Sequence, residues 1–118
     1  MRLIIAGTRD FADQEYFDEV LAAFTDVSEV VSGGATGADR MGEVWAEKNG
    51  IPCKVFRAAW TEQGKAAGPI RNRAMAEYAD AAVVFMRHGG SPGSLSMISE
   101  IRRLDKPFLV FHFPRDNS

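Results

Sequence analysis

The amino-acid sequence predicts a single three-layer α/β/α domain built on a five-stranded parallel sheet. Three observations predict it: five short apolar runs recur along the chain, amphipathic segments separate them, and two strand-to-helix junctions are rich in glycine. Strict alternation of strands and helices favours parallel strands with helices on both faces, and we expect the strand order 3-2-1-4-5. The chain of 118 residues is long enough for one domain with a hydrophobic core.

The apolar runs mark the strands. The first, fourth and fifth are continuous rather than alternating, which is typical of strands buried on both faces of a sheet. The second and third are too short to show a pattern. In order, the runs are residues 3–6, 30–31, 55–56, 82–85 and 108–111.

Four helices are expected between these runs. Asp13 is a candidate N-cap of the first, the dipeptide 49–50 (Asn-Gly) closes the second, and Pro69 opens the third. The fourth runs from about residue 94 to 104. The side chains expected to point inward are Phe17, Val20, Leu21, Phe24, Met41, Val44, Trp45, Ile70, Ala74, Tyr78, Ile98 and Ile101.

Composition argues against several classes of function. The net charge of −2 provides no basic field for a nucleic acid. One cysteine and two histidines argue against a disulfide framework and a metal site, and we interpret Cys53 as a small buried apolar residue. No secretory signal or membrane-length apolar run is evident, so we expect a cytoplasmic protein without membrane partners. We expect residues 114–118 to be a frayed tail.

The glycine-rich segment after the second run, SGGATGAD, is the most informative stretch. Three glycines within five residues let backbone N–H groups turn inward, and the helix that follows adds free donors and the positive end of its dipole. Together they predict an anion pocket, most often one for phosphate. Its candidate ligand-binding residues are Ser32, Gly33, Gly34, Thr36, Gly37 and Asp39.

Two other interpretations of this segment stay open. Thr36 and Asp39 have the spacing of a capping box, which would make them a helix start rather than a ligand site. Glu43 lies one helical turn after Asp39, where it could serve a ribose hydroxyl, act as a general base, or simply face solvent.

Two further segments offer cationic candidates. Gly7, Thr8 and Arg9 follow the first strand and supply a turn, a hydroxyl and a planar guanidinium, although Arg9 could instead pair with nearby acidic side chains. Arg71 and Asn72 open the third helix, where a positive charge is unfavourable unless an anion lies nearby. We expect the neighbouring Arg73 to face solvent.

The loops after the third and fourth strands complete the candidate site. The loop at 58–68 contains Lys65 and Trp60, and Trp60 either stacks on a base or packs over the sheet edge. The second glycine-rich junction follows the fourth strand, with Ser94 as the expected N-cap. His88 opens this junction as a weak acid–base candidate. The junction's candidate ligand-binding residues are Gly89, Gly90, Gly93 and Ser94.

In combination, the motifs GTRDF, VSGGATGADRMGEVWA, W…GKAAGPIRNRAMAEYADAAVVF and GGSPGS resemble the YspA/YpsA-related branch of the SLOG superfamily. That superfamily unites the LOG phosphoribohydrolases with the DNA-processing protein DprA/Smf in one Rossmann-like fold. The resemblance covers roughly residues 1–110 and implies a nucleotide-binding domain over residues 1–113. It further implies a nucleotide or nucleotide derivative as ligand, a sensor or binding role, no required cofactor, and a homo-oligomer.

Three alternatives remain. Arg71 and Met75 match the Arg and Met of a LOG motif, which raises a nucleoside-monophosphate N-glycosidase or another nucleotide hydrolase. The catalytic Glu position of that family falls on Met97, and Glu100 lies one helical turn further, so this chain departs from the LOG pattern. A nucleic-acid module like DprA is disfavoured by charge. An interaction domain with a vestigial pocket is the third alternative.

Overall fold

A computed structural model of the chain describes residues 1–115. Its strands form one parallel sheet in the order β3-β2-β1-β4-β5. The predicted fold class and strand order are therefore confirmed. The strands are β1 (Arg2–Gly7), β2 (Glu29–Ser32), β3 (Cys53–Val55), β4 (Ala81–Arg87) and β5 (Phe108–Phe113).

Helices cover both faces of the sheet. The four predicted helices are present, and a short helix and a 3₁₀ turn that the sequence did not predict lie between β3 and the third of them. The helices are α1 (Gln14–Leu21), α2 (Ala38–Lys48), α3 (Trp60–Gln63), α4 (Ala67–Tyr78) and α5 (Pro92–Arg103), and the 3₁₀ turn is Gly64–Ala66. In the part of the chain that the structure describes, no helix has both the length and the apolar character needed to cross a bilayer.

The core has two halves, one on each face of the sheet. Successive residues of β1 and β4 alternate between them: Ile4 packs with α4 and α5, whereas Ile5 packs with α1 and α2. Both strands are buried on both faces, as the continuous runs predicted. The same prediction is wrong for β5, where Leu109 is 52% exposed, because β5 lies at the sheet edge and pairs only with β4.

The inward face of α4 differs from the prediction. Ile70 and Ala74 are exposed, and Tyr78 is only partly buried. The helix buries mainly small residues, together with Met75 and one amide, so the apolar pattern that identified the other helices is misleading here. The residues of this buried face are Ala67, Gly68, Asn72, Met75 and Ala76.

Local details confirm one predicted cap and correct another. Asp13 caps α1 by accepting from the N–H of Tyr16 at 3.0 Å. The cap of α5 is Ser91 rather than Ser94, because Pro92 supplies the first helical residue and Ser91 Oγ accepts from the N–H of Ser94. Cys53 is exposed on the edge strand β3, so its interpretation as a buried residue was wrong.

Part of the expected tail lies within the described residues. Arg115 pairs with Glu19 at 2.7 Å, and the carbonyl oxygen of Pro114 lies 2.9 Å from Nε2 of His88. Residues 116–118 of that tail lie outside the part that the structure describes.

Candidate functional site

A cleft of about 1050 Å³ opens at the carboxyl edge of the sheet. The loops that follow β1, β2, β3 and β4 border it, together with the N-terminal parts of α4 and α5. This is the edge at which parallel α/β sheets hold their ligands, beside the point where the chain crosses from one side of β1 to the other. Because α4 begins at Ala67, Arg71 and Asn72 lie in its second turn, and the prediction that they open the helix was wrong. The candidate ligand-contacting residues from the sequence that line the cleft are Gly7, Thr8, Arg9, Gly33, Gly34, Thr36, Asp39, Trp60, Lys65, Arg71, Asn72, Gly93 and Ser94.

Four candidate ligand-binding residues lie outside the lining: Ser32, Gly37, Gly89 and Gly90. Gly37 nevertheless fixes the shape of the cleft. It has φ +76°, and a Cβ placed on it would lie 2.6 Å from the carbonyl oxygens of Thr8 and Arg9. Glycine at this position lets the loop after β2 pack directly on the loop after β1.

The carboxylate of Asp39 occupies the inside of the glycine loop. Asp39 is only 5% exposed, and its Oδ2 accepts from the N–H groups of Gly33 at 3.1 Å and Ala35 at 3.4 Å. Gly34 donates to Ser32 Oγ at 3.1 Å. The first three N–H groups of the loop therefore have partners within the chain, in contrast to the expectation that those of Gly33 and Gly34 are free for a phosphate.

Free donors lie at the end of the loop instead. The N–H groups of Thr36 and Gly37 make no hydrogen bond to any atom within residues 1–115. Gly37 is the N-cap of α2 and offers no side-chain cap, so the capping-box interpretation of Thr36 and Asp39 is wrong. The hydroxyl of Thr36 donates to the carbonyl of Arg9 at 3.4 Å.

Glu43 supports the loop from behind. Its Oε2 accepts from Ser32 Oγ at 2.7 Å, and its side chain is 19% exposed. Glu43 does not line the cleft, which argues against its roles towards a ribose hydroxyl or as a general base. Its low exposure shows that it does not simply face solvent either, and it supports Ser32 instead.

Arg71 contacts the same loop from the opposite wall. Its Nη1 donates to the carbonyl of Gly33 at 2.8 Å, and its Nε donates to Asn72 Oδ1 at 2.9 Å. Asn72 is 4% exposed, and its Nδ2 donates to the carbonyl of Gly93 and to Ser96 Oγ, which ties α4 to the start of α5. Arg73, as expected, faces solvent and pairs with Glu77.

Burial shifts the pKa values of Asp39 and Arg71 in opposite directions, because it disfavours the charged form of each. It raises the pKa of Asp39, and this outweighs the backbone N–H groups and the positive charge of Arg71, which lower that pKa. Burial also lowers the pKa of Arg71, partly offset by the charge of Asp39, and Arg71 remains protonated.

The cleft contains more positive than negative charge. Arg9, Arg57 and Lys65 line it and form no ion pair within the described residues 1–115. Arg87 pairs with Asp10 at the rim. Arg57 and Arg87 were not predicted as site residues, although both lie at strand ends, the position that identified Arg9.

The N-glycosidase alternative depends on a catalytic glutamate at or near position 97. Met97, at the position of the LOG glutamate, is buried and lines the cleft, whereas Glu100 pairs with Arg103 at 3.0 Å and does not line it. His88 also lies outside the lining, where its ring stacks on His112 with centroids 5.4 Å apart.

Fold and cleft together define a Rossmann-like α/β domain with a basic pocket at its carboxyl edge. The chain belongs to the YspA, cpYpsA-related SLOG family, which matches residues 1–62, and the resemblance seen in the motifs is thereby confirmed. It is similar to the Gene 61 protein of Mycobacterium phage D29, with 32% identity over 120 residues covering 93% of this chain and 95% of that protein. No solved structure gives a significant match.

Proposed function

We propose that the cleft binds a nucleotide or a nucleotide-derived phosphate ligand. One observation carries the proposal: Arg9, Arg57 and Lys65 are without ion pairs in the described chain and line the same cleft as the glycine loop. Thr36, near the end of that loop, also lines the cleft, and its N–H group has no partner within residues 1–115. An anion supplies both the charge and the hydrogen-bond acceptors that these groups lack.

Family membership supports a nucleotide over other anions. SLOG proteins are associated with nucleotide-related binding or processing. The segment that matches the family, residues 1–62, contains the glycine loop and two arginines that line the cleft, Arg9 and Arg57. A phosphate alone fills only a small part of the 1050 Å³ cleft, whereas a nucleotide occupies more of it.

Binding is proposed ahead of hydrolysis because the cleft-lining carboxylates are already engaged. Asp10 pairs with Arg87, and Asp39 accepts from two backbone N–H groups of its own loop. Glycoside hydrolysis usually uses two carboxylates that flank the scissile bond and are free to act on it.

One observation favours hydrolysis as a second candidate. Asp39 is a buried carboxylate with a raised pKa in a cleft, which is the setting of many general acids and bases. Incubation with nucleoside monophosphates, followed by chromatography for free base, tests it. Base release that disappears in Asp39→Asn supports the hydrolase, whereas no release by the wild type excludes it for those substrates.

A thermal-shift screen tests the proposed binding. AMP, ADP, ATP, NAD, ADP-ribose and cyclic nucleotides are compared with adenosine, which lacks a phosphate. A ligand at about 100 times its Kd adds ~2.7 kcal/mol to the free energy of unfolding, which raises Tm by several degrees in a small domain. A shift with phosphate ligands and none with adenosine is expected. No shift with any of them contradicts the proposal and favours the interaction-domain alternative.

A further inference from the structure

Trp60 presents a half-exposed aromatic ring to the cleft. Four large apolar side chains of residues 1–115 are about half exposed, namely Trp60, Ile70, Leu95 and Leu109, and of these Trp60 alone lines the cleft. It is 53% exposed. An indole half exposed in a concave site offers a broad π surface that a planar group can cover.

The local backbone holds Trp60 in this position. Trp60 is the first residue of α3, and the distal edge of its ring lies over Gly68, near the start of α4. A Cβ on Gly68 would lie 3.2 Å from Cη2 of Trp60. Gly68 does not have a positive φ, so its backbone conformation does not require glycine. The absence of a side chain at Gly68 is instead what allows the ring of Trp60 to pack closely on it.

A basic side chain lies beside the glycine loop in the same cleft. Arg57 follows β3, as Trp60 does, and its Nη1 lies 3.4 Å from the position of a Cβ on Gly34. Ala58 and Pro69 also line the cleft. One cleft therefore contains both the guanidinium of Arg57 beside the glycine loop and the aromatic ring of Trp60.

We propose that Trp60 stacks on the aromatic base of the ligand, so that the cleft discriminates nucleotides from base-free sugar phosphates. This inference rests on the proposed function and specifies the ligand class that the same site takes. Every base has a π face, so stacking favours all four nucleotides over a sugar phosphate and favours the larger purines over pyrimidines.

Calorimetric titration of Trp60→Ala and Trp60→Phe tests the inference, with AMP, GMP, CMP, UMP and ribose 5-phosphate as probes. Trp45→Phe is the matched control, because Trp45 is the other tryptophan of the chain and packs against the core outside the cleft. We expect Trp60→Ala to raise the Kd of the mononucleotides by roughly 5- to 150-fold, the range that base–aromatic stacking spans. The Kd of ribose 5-phosphate should change by less than about twofold, and Trp60→Phe should recover most of the nucleotide affinity.

The intrinsic fluorescence of Trp60 gives a second readout, in which the indole ring stays intact. In the Trp45→Phe background Trp60 is the sole tryptophan, and we expect quenching by the mononucleotides but not by ribose 5-phosphate. Unchanged mononucleotide affinity in Trp60→Ala, or equal affinity of the wild type for AMP and ribose 5-phosphate, overturns the inference and leaves the proposed function standing. Failure of the wild type to bind any of the five probes overturns the inference, and the proposed function falls with it only if the ligands of the thermal-shift screen also fail to bind.

Discussion

The carboxylate of Asp39 and the guanidinium of Arg71 contact the peptide groups of Gly33 from two sides. Asp39 accepts from its N–H at 3.1 Å, and Arg71 donates to its carbonyl oxygen at 2.8 Å. No direct ion pair within 4.0 Å joins the two side chains in the described structure. The opposite charges are thus arranged around a loop backbone, which fixes the glycine loop and keeps Arg71 at the cleft.

Loss of Arg71 should weaken ligand binding. Arg71→Ala removes a cation that lines the cleft and the hydrogen bond that holds Gly33, and we expect a loss of about 1–3 kcal/mol of binding free energy for a nucleotide. Arg73→Ala is the matched control, since Arg73 lies on the same helix and faces solvent. Calorimetry measures both, and equal affinity of Arg71→Ala and the wild type removes Arg71 from the site.

The raised pKa of Asp39 makes stability depend on pH in a defined sense. A folded-state pKa above the ordinary value of 3.8 means that the native state binds the proton more tightly than the unfolded state does. The contribution is therefore fully present below that value and is lost as the pH rises through the folded-state pKa. Asp39→Asn, which cannot titrate there, lacks this dependence.

Urea denaturation of both proteins from pH 7 towards pH 4 checks this. We expect the free energy of unfolding of the wild type, relative to Asp39→Asn, to increase as the pH falls. A relative decrease shows that the loop N–H groups outweigh burial and that the folded-state pKa of Asp39 is depressed.

Gly37 should be far less replaceable than Gly50. Both have a positive φ, but a Cβ on Gly37 meets two backbone carbonyls at 2.6 Å, whereas a Cβ on Gly50 meets nothing within 4 Å. We expect Gly50→Ala to cost about 1–2 kcal/mol through its backbone conformation alone. Gly37→Ala should cost about 2–3 kcal/mol more, because the loops after β1 and β2 must separate. Equal losses in thermal denaturation contradict this account of the loop packing.

Lys106 should stabilise the helix that contains Arg71. Its Nζ donates to the carbonyls of Ala76 and Ala79 at 2.7 Å and to that of Glu77 at 3.0 Å, at the carboxyl end of α4. Hydrogen bonds from a charged donor are worth about 1.5–3 kcal/mol, and we expect Lys106→Met to lower the free energy of unfolding by about that amount.

Lys48→Met is the control for Lys106→Met. Lys48 is exposed at the end of α2, so its substitution should lower the free energy of unfolding by less than about 0.5 kcal/mol. Chemical denaturation compares the two variants, and a similar small loss for both would falsify the capping role of Lys106.

The fold could be predicted because its signals are local. Apolar runs and intervening amphipathic helices identify the strands, and the crossover rules then give the strand order. The inward face of α4 could not be predicted, because it contains small residues and the amide of Asn72, whereas Ile70 faces outward. The exposure of Cys53 and Leu109 follows from edge positions in the sheet, which the residues themselves do not reveal.

The location of the candidate site could be predicted from the sequence, but the hydrogen bonds among its residues could not. Strand-end loops rich in glycine pointed to the cleft, and the same rule applied to β3 would have identified Arg57. That Asp39 turns back onto the N–H groups of Gly33 and Ala35 depends on the turn between them, and no spacing rule predicts it. Asn72 was identified for its place beside Arg71, whereas its hydrogen bonds to α5 depend on how two helices pack.

The central claim is that the basic cleft binds the phosphate of a nucleotide. Its most direct test is calorimetric titration of the wild-type protein with the nucleotide that gives the largest thermal shift and with the matching nucleoside, under the same salt conditions. We expect the nucleotide to bind at least about tenfold more tightly than the nucleoside, because charge-assisted hydrogen bonds to phosphate each contribute roughly 1.5–3 kcal/mol. Equal affinity for the nucleotide and its nucleoside would contradict it.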